Sequence, residues 1–168
     1  SRPAGIILFA RNIVAPDQVR WLIAEARAAI GQADCLVLVD QEGGRVQRLR
    51  PPFWRALPSA RKIARYENGG AGAVRAIEQV SRLIAADLRA LGFNCNCTPV
   101  LDLPVEGSHE IIGDRAFGTT PADVIARGRA VIAGHLAGGV VPVIKHIPGH
   151  GRARADSHLE LPVVDTPR

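Results

Sequence analysis

Four short apolar runs recur along the chain: GIILFA (5–10), CLVLVD (35–40), FNCNCTPVLD (93–102) and VVPVIKH (140–146). The cores of the first two are nearly continuous aliphatic residues, the pattern of strands buried on both faces of a parallel sheet. The segments between them have a helical period. In PDQVRWLIAEARAAIG, Pro16 suits the first helical position and Gly31 stops the helix. In AGAVRAIEQVSRLIAADLRALG, Val74, Ile77, Val80, Ile84, Leu88 and Leu91 form one apolar stripe that ends at Gly92. In TPADVIARGRAVIAGHLAGG, Thr120 is the expected N-cap before Pro121, and Asp123 lies in the positive first turn. Val124, Val131 and Leu136 are expected to line its buried face, with Gly138 and Gly139 as the stop. Strands alternating with helices predict an α/β fold on a parallel sheet.

With 168 residues and no linker or repeat, the chain reads as a single domain over 1–168. No apolar run approaches the ~20 residues of a membrane span, and no secretory signal opens the chain, so a cytoplasmic location without membrane partners is expected. The net charge of +5 comes mainly from arginine, since Lys62 and Lys145 are the only lysines among 21 basic residues. Arg20, Arg27, Arg75, Arg82, Arg89, Arg127 and Arg129 are spread along the helical segments, as on solvated faces. Aromatic residues are only 4%, too few for a nucleic-acid surface of stacking side chains. Cys35, Cys95 and Cys97 form no disulfide framework and read as small buried side chains.

Polar residues gather at the C-terminal ends of the apolar runs: Arg11 and Asn12 after the first, Asp40 to Arg45 after the second, Asp102 after the third, Lys145 and His146 after the fourth. In parallel α/β proteins that edge is where sites are built, in closed barrels and open sheets alike. In VDQEGGRVQR, Gly43 and Gly44 lack the accompanying pattern of a phosphate loop. Asp40 and Arg45 there suit the gripping of neutral hydroxyls, or equally a polar turn closed by its own salt bridge. The Asp114-Arg115 pair of EIIGDRAFG serves equally as a rigid ligand contact or a loop anchor. KHIPGHGRARADSH holds three of the five histidines. Zinc takes ligands of the types found in His146, His150, Asp156 and His158, but Pro148, Gly149 and Gly151 oppose the helix that H-x₃-H ligation uses. Asp156 and His158 are two apart, so a turned loop can bring carboxylate to imidazole and make a proton-transfer pair.

Together VDQEGGRVQR, TPVLD, IGDRAFG and KHIPGHGRARADSHLELP, in this order, resemble bacterial β-N-acetylhexosaminidases of glycoside hydrolase family 3. The resemblance runs from GIILFARN to LPVVD. It implies a (β/α)₈ barrel that removes terminal β-linked N-acetylglucosamine from cell-wall fragments during peptidoglycan recycling, with retention of configuration. It implies His158 as acid/base on a mobile loop with Asp156 as its partner, and Gly149 and Gly151 as hinges. Asp40, Arg48, Arg115, Lys145 and His146 match groups that contact the sugar. No cofactor and no metal are called for, and the partner is a saccharide, not a nucleic acid.

The chain departs from that pattern in its reach. The family's nucleophilic aspartate stands on a later strand, and Asp165 is too near His158 to be it. A full barrel takes ~250 residues, so the chain is expected to be a partial barrel of about four βα units, lacking the first strand and the C-terminal part. Little activity is expected of it alone, and open strand edges invite self-association. A family 3 β-glycosidase or phosphorylase, and a non-catalytic sugar-binding domain, are the alternative readings.

Overall fold

The computed structural model describes residues 3–164. Four parallel strands, β1 (Gly5–Leu8), β2 (Leu36–Val39), β5 (Cys95–Asn96) and β6 (Val141–Pro142), form one sheet in the order β1-β2-β5-β6. An antiparallel hairpin, β3 (Gln41–Gly43) and β4 (Val46–Gln47), follows β2 directly. Helix α1 (Pro16–Ile30) connects β1 to β2, α2 (Ala60–Ala64) and α3 (Ala71–Leu91) connect the hairpin to β5, and α4 (Pro121–Ala137) leads into β6. The strand-helix alternation is therefore the parallel α/β arrangement that the apolar runs predict. Among the described residues, no helix is long and apolar enough to cross a membrane.

Local signals hold at the helix ends. Pro16 opens α1, and Gly31 and Gly92 close α1 and α3 in the left-handed conformation at φ 71° and 99°. The Thr120 hydroxyl accepts from the Asp123 amide at 3.2 Å and caps α4. The core lies between the sheet and the helices, with Val37, Val39, Phe93 and Val140 packed on Val19 and Ile23 of α1 and Ile84, Leu88 and Leu91 of α3.

Three expectations need correction. The third and fourth apolar runs are longer than their strands, because Pro99 and Pro142 offer no amide to a ladder. Pairing resumes beyond them, with Val100 bridged to Lys145. On α4, Leu136 is exposed, and the buried face instead carries Val124, Gly128, Val131, Gly134 and His135. Here α4 meets α3 through small residues: a Cβ on Gly134 would strike the Glu78 carbonyl, and one on Gly138 the Ala85 side chain. Nor are all helical arginines solvated, since Arg27 donates to the Gly92 carbonyl and Arg127 to the carbonyls of Phe117 and Gly69.

In register, Ile7, Leu38, Cys95 and Val141 form a row on the sheet face opposite Val37 and Val39. Ile7, Val141, Val143 and Ile144 are exposed. Among the described residues, β1 and β6 each leave one edge unpaired.

Candidate functional site

Asp40 and Glu42 are two apart on extended chain, so both carboxylates can face the same way. Both meet Lys145, whose Nζ lies 2.8 Å from Asp40 Oδ1 and 2.6 Å from Glu42 Oε1. Arg115, at the end of a short 3-10 turn, grips Glu42 with Nε and Nη2, both at 2.9 Å. Arg48 reaches Asp40 Oδ2 at 3.4 Å. The result is a run of alternating charges, Arg48, Asp40, Lys145, Glu42, Arg115, drawn from three strand-end loops. Glu42 side-chain exposure is 7% and that of Arg115 is 10%, so this pair is desolvated and bidentate. Burial raises the Asp40 pKa, but the Lys145 hydrogen bond and charge, with Arg48, outweigh it and hold the carboxyl below its ordinary value. Burial lowers and Glu42 raises the Arg115 pKa, and the carboxylate prevails.

The hairpin that carries this motif is stitched by its glutamines. Buried Gln41 accepts from the amides of Arg48 and Leu49 and donates to the Leu49 carbonyl. Buried Gln47 donates to the carbonyls of Leu49 and Arg55 and accepts from Leu57 N. Gly43, at φ 103°, lies so close to the Pro58 carbonyl that no side chain fits. The glycines make a tight hairpin. Arg45 does not join Asp40: it bonds Asp114 at 3.0 Å and the carbonyls of Glu110 and Ile111 at 2.7 Å, anchoring one loop to the other. The Asp114-Arg115 dipeptide thus divides its work, Asp114 serving the anchor and Arg115 the charged cluster.

His146 follows Lys145 in the segment beyond β6, and its Nδ1 lies 2.5 Å from Asp102 Oδ2. Asp102 is fully buried and also accepts the His150 backbone N–H on Oδ1 at 2.5 Å. Burial raises its pKa, but the His146 hydrogen bond and the His150 amide together outweigh burial, leaving the group below its ordinary value. His146, Asp102, Pro148 and Gly149 line a cavity of about 370 Å³.

Asp156 Oδ1 accepts from the His158 backbone N–H at 2.9 Å and meets His158 Nδ1 at 2.7 Å. The backbone bond, then the side-chain bond, hold its pKa below the ordinary value. An ionised carboxylate only accepts, so His158 Nδ1 carries the hydrogen and Nε2 is left for chemistry. His158 is 76% exposed, and none of its polar contacts reaches the charged cluster.

Of the seven site residues that the sequence suggests, Asp40, Arg48, Arg115 and Lys145 converge, His146 is held beside Asp102, and Asp156 and His158 form a separate outlying pair. Glu42 and Asp102 escaped the sequence reading as site residues. Their signal was position: Glu42 stands two residues from Asp40, and Asp102 ends an apolar run. Of the two expected hinges, Gly149 is exposed at φ 138° with room around it, whereas Gly151 differs from a hinge. Gly151 is buried with its Cα against the Leu103 backbone, and Val105 N donates to its carbonyl at 3.1 Å. Asp165 lies outside the described residues. Among the described residues, no group of three His, Cys, Asp or Glu is arranged to hold a metal ion. Cys97 stands near Asp40 and Lys145, and burial raises its thiol pKa, as burial pushes Cys95 up to about 11.

Parallel strands whose C-terminal ends lead into an ion-paired cluster and the His146–Asp102 pair define an α/β protein with its polar site on the strand-end face. The chain belongs to glycoside hydrolase family 3: residues 2–168 match the family described as "Glycosyl hydrolase family 3 N terminal domain". A beta-hexosaminidase of Methylococcus capsulatus is 45% identical over 158 residues, covering 94% of this chain and 46% of that protein. Native NagZ from Neisseria gonorrhoeae superposes with a TM-score of 0.85 at 40% identity, covering 95% of this chain and 46% of NagZ. The same NagZ in complex with N-trifluoroacetyl-D-glucosamine gives 0.84 at 39% identity, covering 95% and 47%. The chain thus spans about half the length of the relatives it matches.

Proposed function

We propose that these residues are the sugar-binding and acid/base half of a retaining β-N-acetylhexosaminidase barrel that acts on cell-wall fragments in the cytoplasm. The observation that carries the reading is the 2.7 Å contact between His158 Nδ1 and Asp156, in the loop that continues from β6 through Lys145 and His146. The named relatives support the class of reaction, and the N-acylated sugar bound to NagZ supports the class of substrate.

Asp40 accepts from sugar hydroxyls, while Lys145, Arg48 and Arg115 donate, and His146 adds a further polar contact. Protonated His158 gives its Nε2 proton to the leaving oxygen as a carboxylate attacks C1 and the glycosidic bond breaks. The neutral imidazole then takes a proton from the water that attacks C1 and frees the carboxylate. Asp156 steadies the imidazolium before the first step and again after the second, and orients the neutral ring between them. The nucleophilic carboxylate belongs to a strand outside these residues, as do the strands that pair with β1 and β6. Residues 1–168 alone are therefore expected to be inactive and to self-associate through the open edges, and a monomeric mass by light scattering at high concentration would count against the association.

The test uses the full-length protein and His158→Ala. Hydrolysis of a natural disaccharide should fall by about 10²–10⁴-fold, the usual worth of general acid–base catalysis. An aryl glycoside whose leaving group needs no proton should lose far less in the glycosylation step. Equal losses on both substrates would reject the acid role, and product release that requires phosphate would reassign the enzyme as a phosphorylase.

A further inference from the structure

Asp102 is fully buried, yet it is bonded to two parts of the site. Its Oδ2 meets His146 Nδ1, and its Oδ1 accepts the His150 amide, both at 2.5 Å. We propose that Asp102 is a positioning residue that sets the tautomer of His146 and fastens the root of the acid/base loop to the 102–109 segment that follows β5, so that the loop's free part begins only after Ala153. The proposal rests on the glycosidase reading of this site.

The tautomer follows from hydrogen-bond capacity. A carboxylate only accepts, so His146 Nδ1 must carry hydrogen toward Asp102. Nε2 of the neutral ring is then the lone-pair acceptor, and it has no partner among the described residues. Because His146 lines the cavity beside Asp102, that nitrogen is the group left to take a hydroxyl or amide hydrogen from a sugar. A carboxylate behind a ligating imidazole orients rings in metal sites in the same way, and the geometry serves an organic ligand equally.

The fastening follows from a ladder of three contacts. His150 N donates to Asp102, Val105 N to the Gly151 carbonyl at 3.1 Å, and His109 N to the Ala153 carbonyl at 2.8 Å. Gly151 is buried against the Leu103 backbone, and Ala153 is 2% exposed. Residues 150–153 are thus packed on the 102–109 segment. Beyond them, the hydrogen bonds of Asp156, His158, Leu159 and Glu160 among the described residues are with one another, and His158 is largely exposed. Gly151 therefore permits close packing, and the pivot for His158 lies nearer to it.

Two variants of the full-length protein separate the two duties. Asp102→Asn keeps an oxygen for the His150 amide but can turn an N–H toward His146. Asp102→Ala removes both contacts. Imidazole ¹⁵N shifts in histidine-labelled protein should show His146 with hydrogen on Nδ1 in the parent and a changed tautomer in Asp102→Asn. The KM for an aryl N-acetylglucosaminide should rise at least ~10-fold, with kcat changed less than ~3-fold, on the scale of one lost charge-assisted hydrogen bond. Hydrogen exchange at the His150–Ala153 amides should stay protected in Asp102→Asn and accelerate in Asp102→Ala, which should also lose kcat. An unchanged His146 tautomer in Asp102→Asn, or equal exchange in all three proteins, would overturn the proposal. If the parent protein proves inactive on N-acetylglucosaminides, the glycosidase reading fails, while the shifts and exchange still judge Asp102. If Asp102→Ala does not fold, the tautomer and KM of the near-isosteric Asn variant decide alone.

Discussion

The charged cluster under the strand ends and the His158 loop use the same chemistry, carboxylates paired with nitrogen bases, in opposite surroundings. Glu42, Arg115 and Lys145 have little water around them, and each carboxylate is shared by two cations. Asp156 and His158 form one short contact at the protein surface. The first arrangement gives rigid donors and acceptors, because breaking any pair strands a buried charge. The second leaves an exposed group on which little of the fold depends. The proposed division into a binding surface and a proton carrier calls for these different properties.

That contrast is open to direct attack. Glu42→Ala should have the largest effect on the fold, since it leaves Arg115 and Lys145 each short of a carboxylate. A loss of about 3 kcal/mol is expected, or on the order of 10 °C in Tm for a domain of this size. Thermal melts of full-length protein check it, with His158→Ala as the loop counterpart, expected to stay within about 0.5 kcal/mol of the parent. A matching loss in both variants would erase the distinction. Gly151→Ala comes next: its Cβ would meet the Leu103 carbonyl, and overpacking of this kind costs about 1–3 kcal/mol. Faster proteolysis between residues 150 and 164 would show that the loop root has loosened.

Acid should act on the fixed region in a predictable direction. Asp40 and Asp102 are held below the ordinary carboxyl value of 3.8. Depressed groups contribute stability that is complete above their unfolded pKa and is lost as the pH falls through the lower folded values. Denaturant midpoints should therefore hold steady from neutrality down to about pH 5 and fall below about pH 4. Replacing Asp102 with Asn should flatten part of that fall, the smallest of these effects.

Much of this was legible in the chain itself. Helix ends at Gly31, Gly92 and Thr120 are set by local backbone chemistry, and the aliphatic runs of β1 and β2 announce a parallel sheet. The His158–Asp156 contact spans two residues, so sequence spacing suffices to suggest it. Leu136 shows where local reading fails: which side of α4 is buried depends on α3 accepting Gly134 and Gly138 at close range, and neither helix encodes that alone.

The sequence by itself determined the order of strands and helices, their stops, and the edge on which polar residues gather, because these follow from periodicity and backbone preference over a few residues. Only the tertiary structure decided which charges meet. Lys145 reaches Asp40 across 105 positions and Arg115 reaches Glu42 across 73, and Arg45 was drawn away to anchor a loop. Such partners are chosen by which strand ends the sheet order sets side by side, and no local pattern carries that choice.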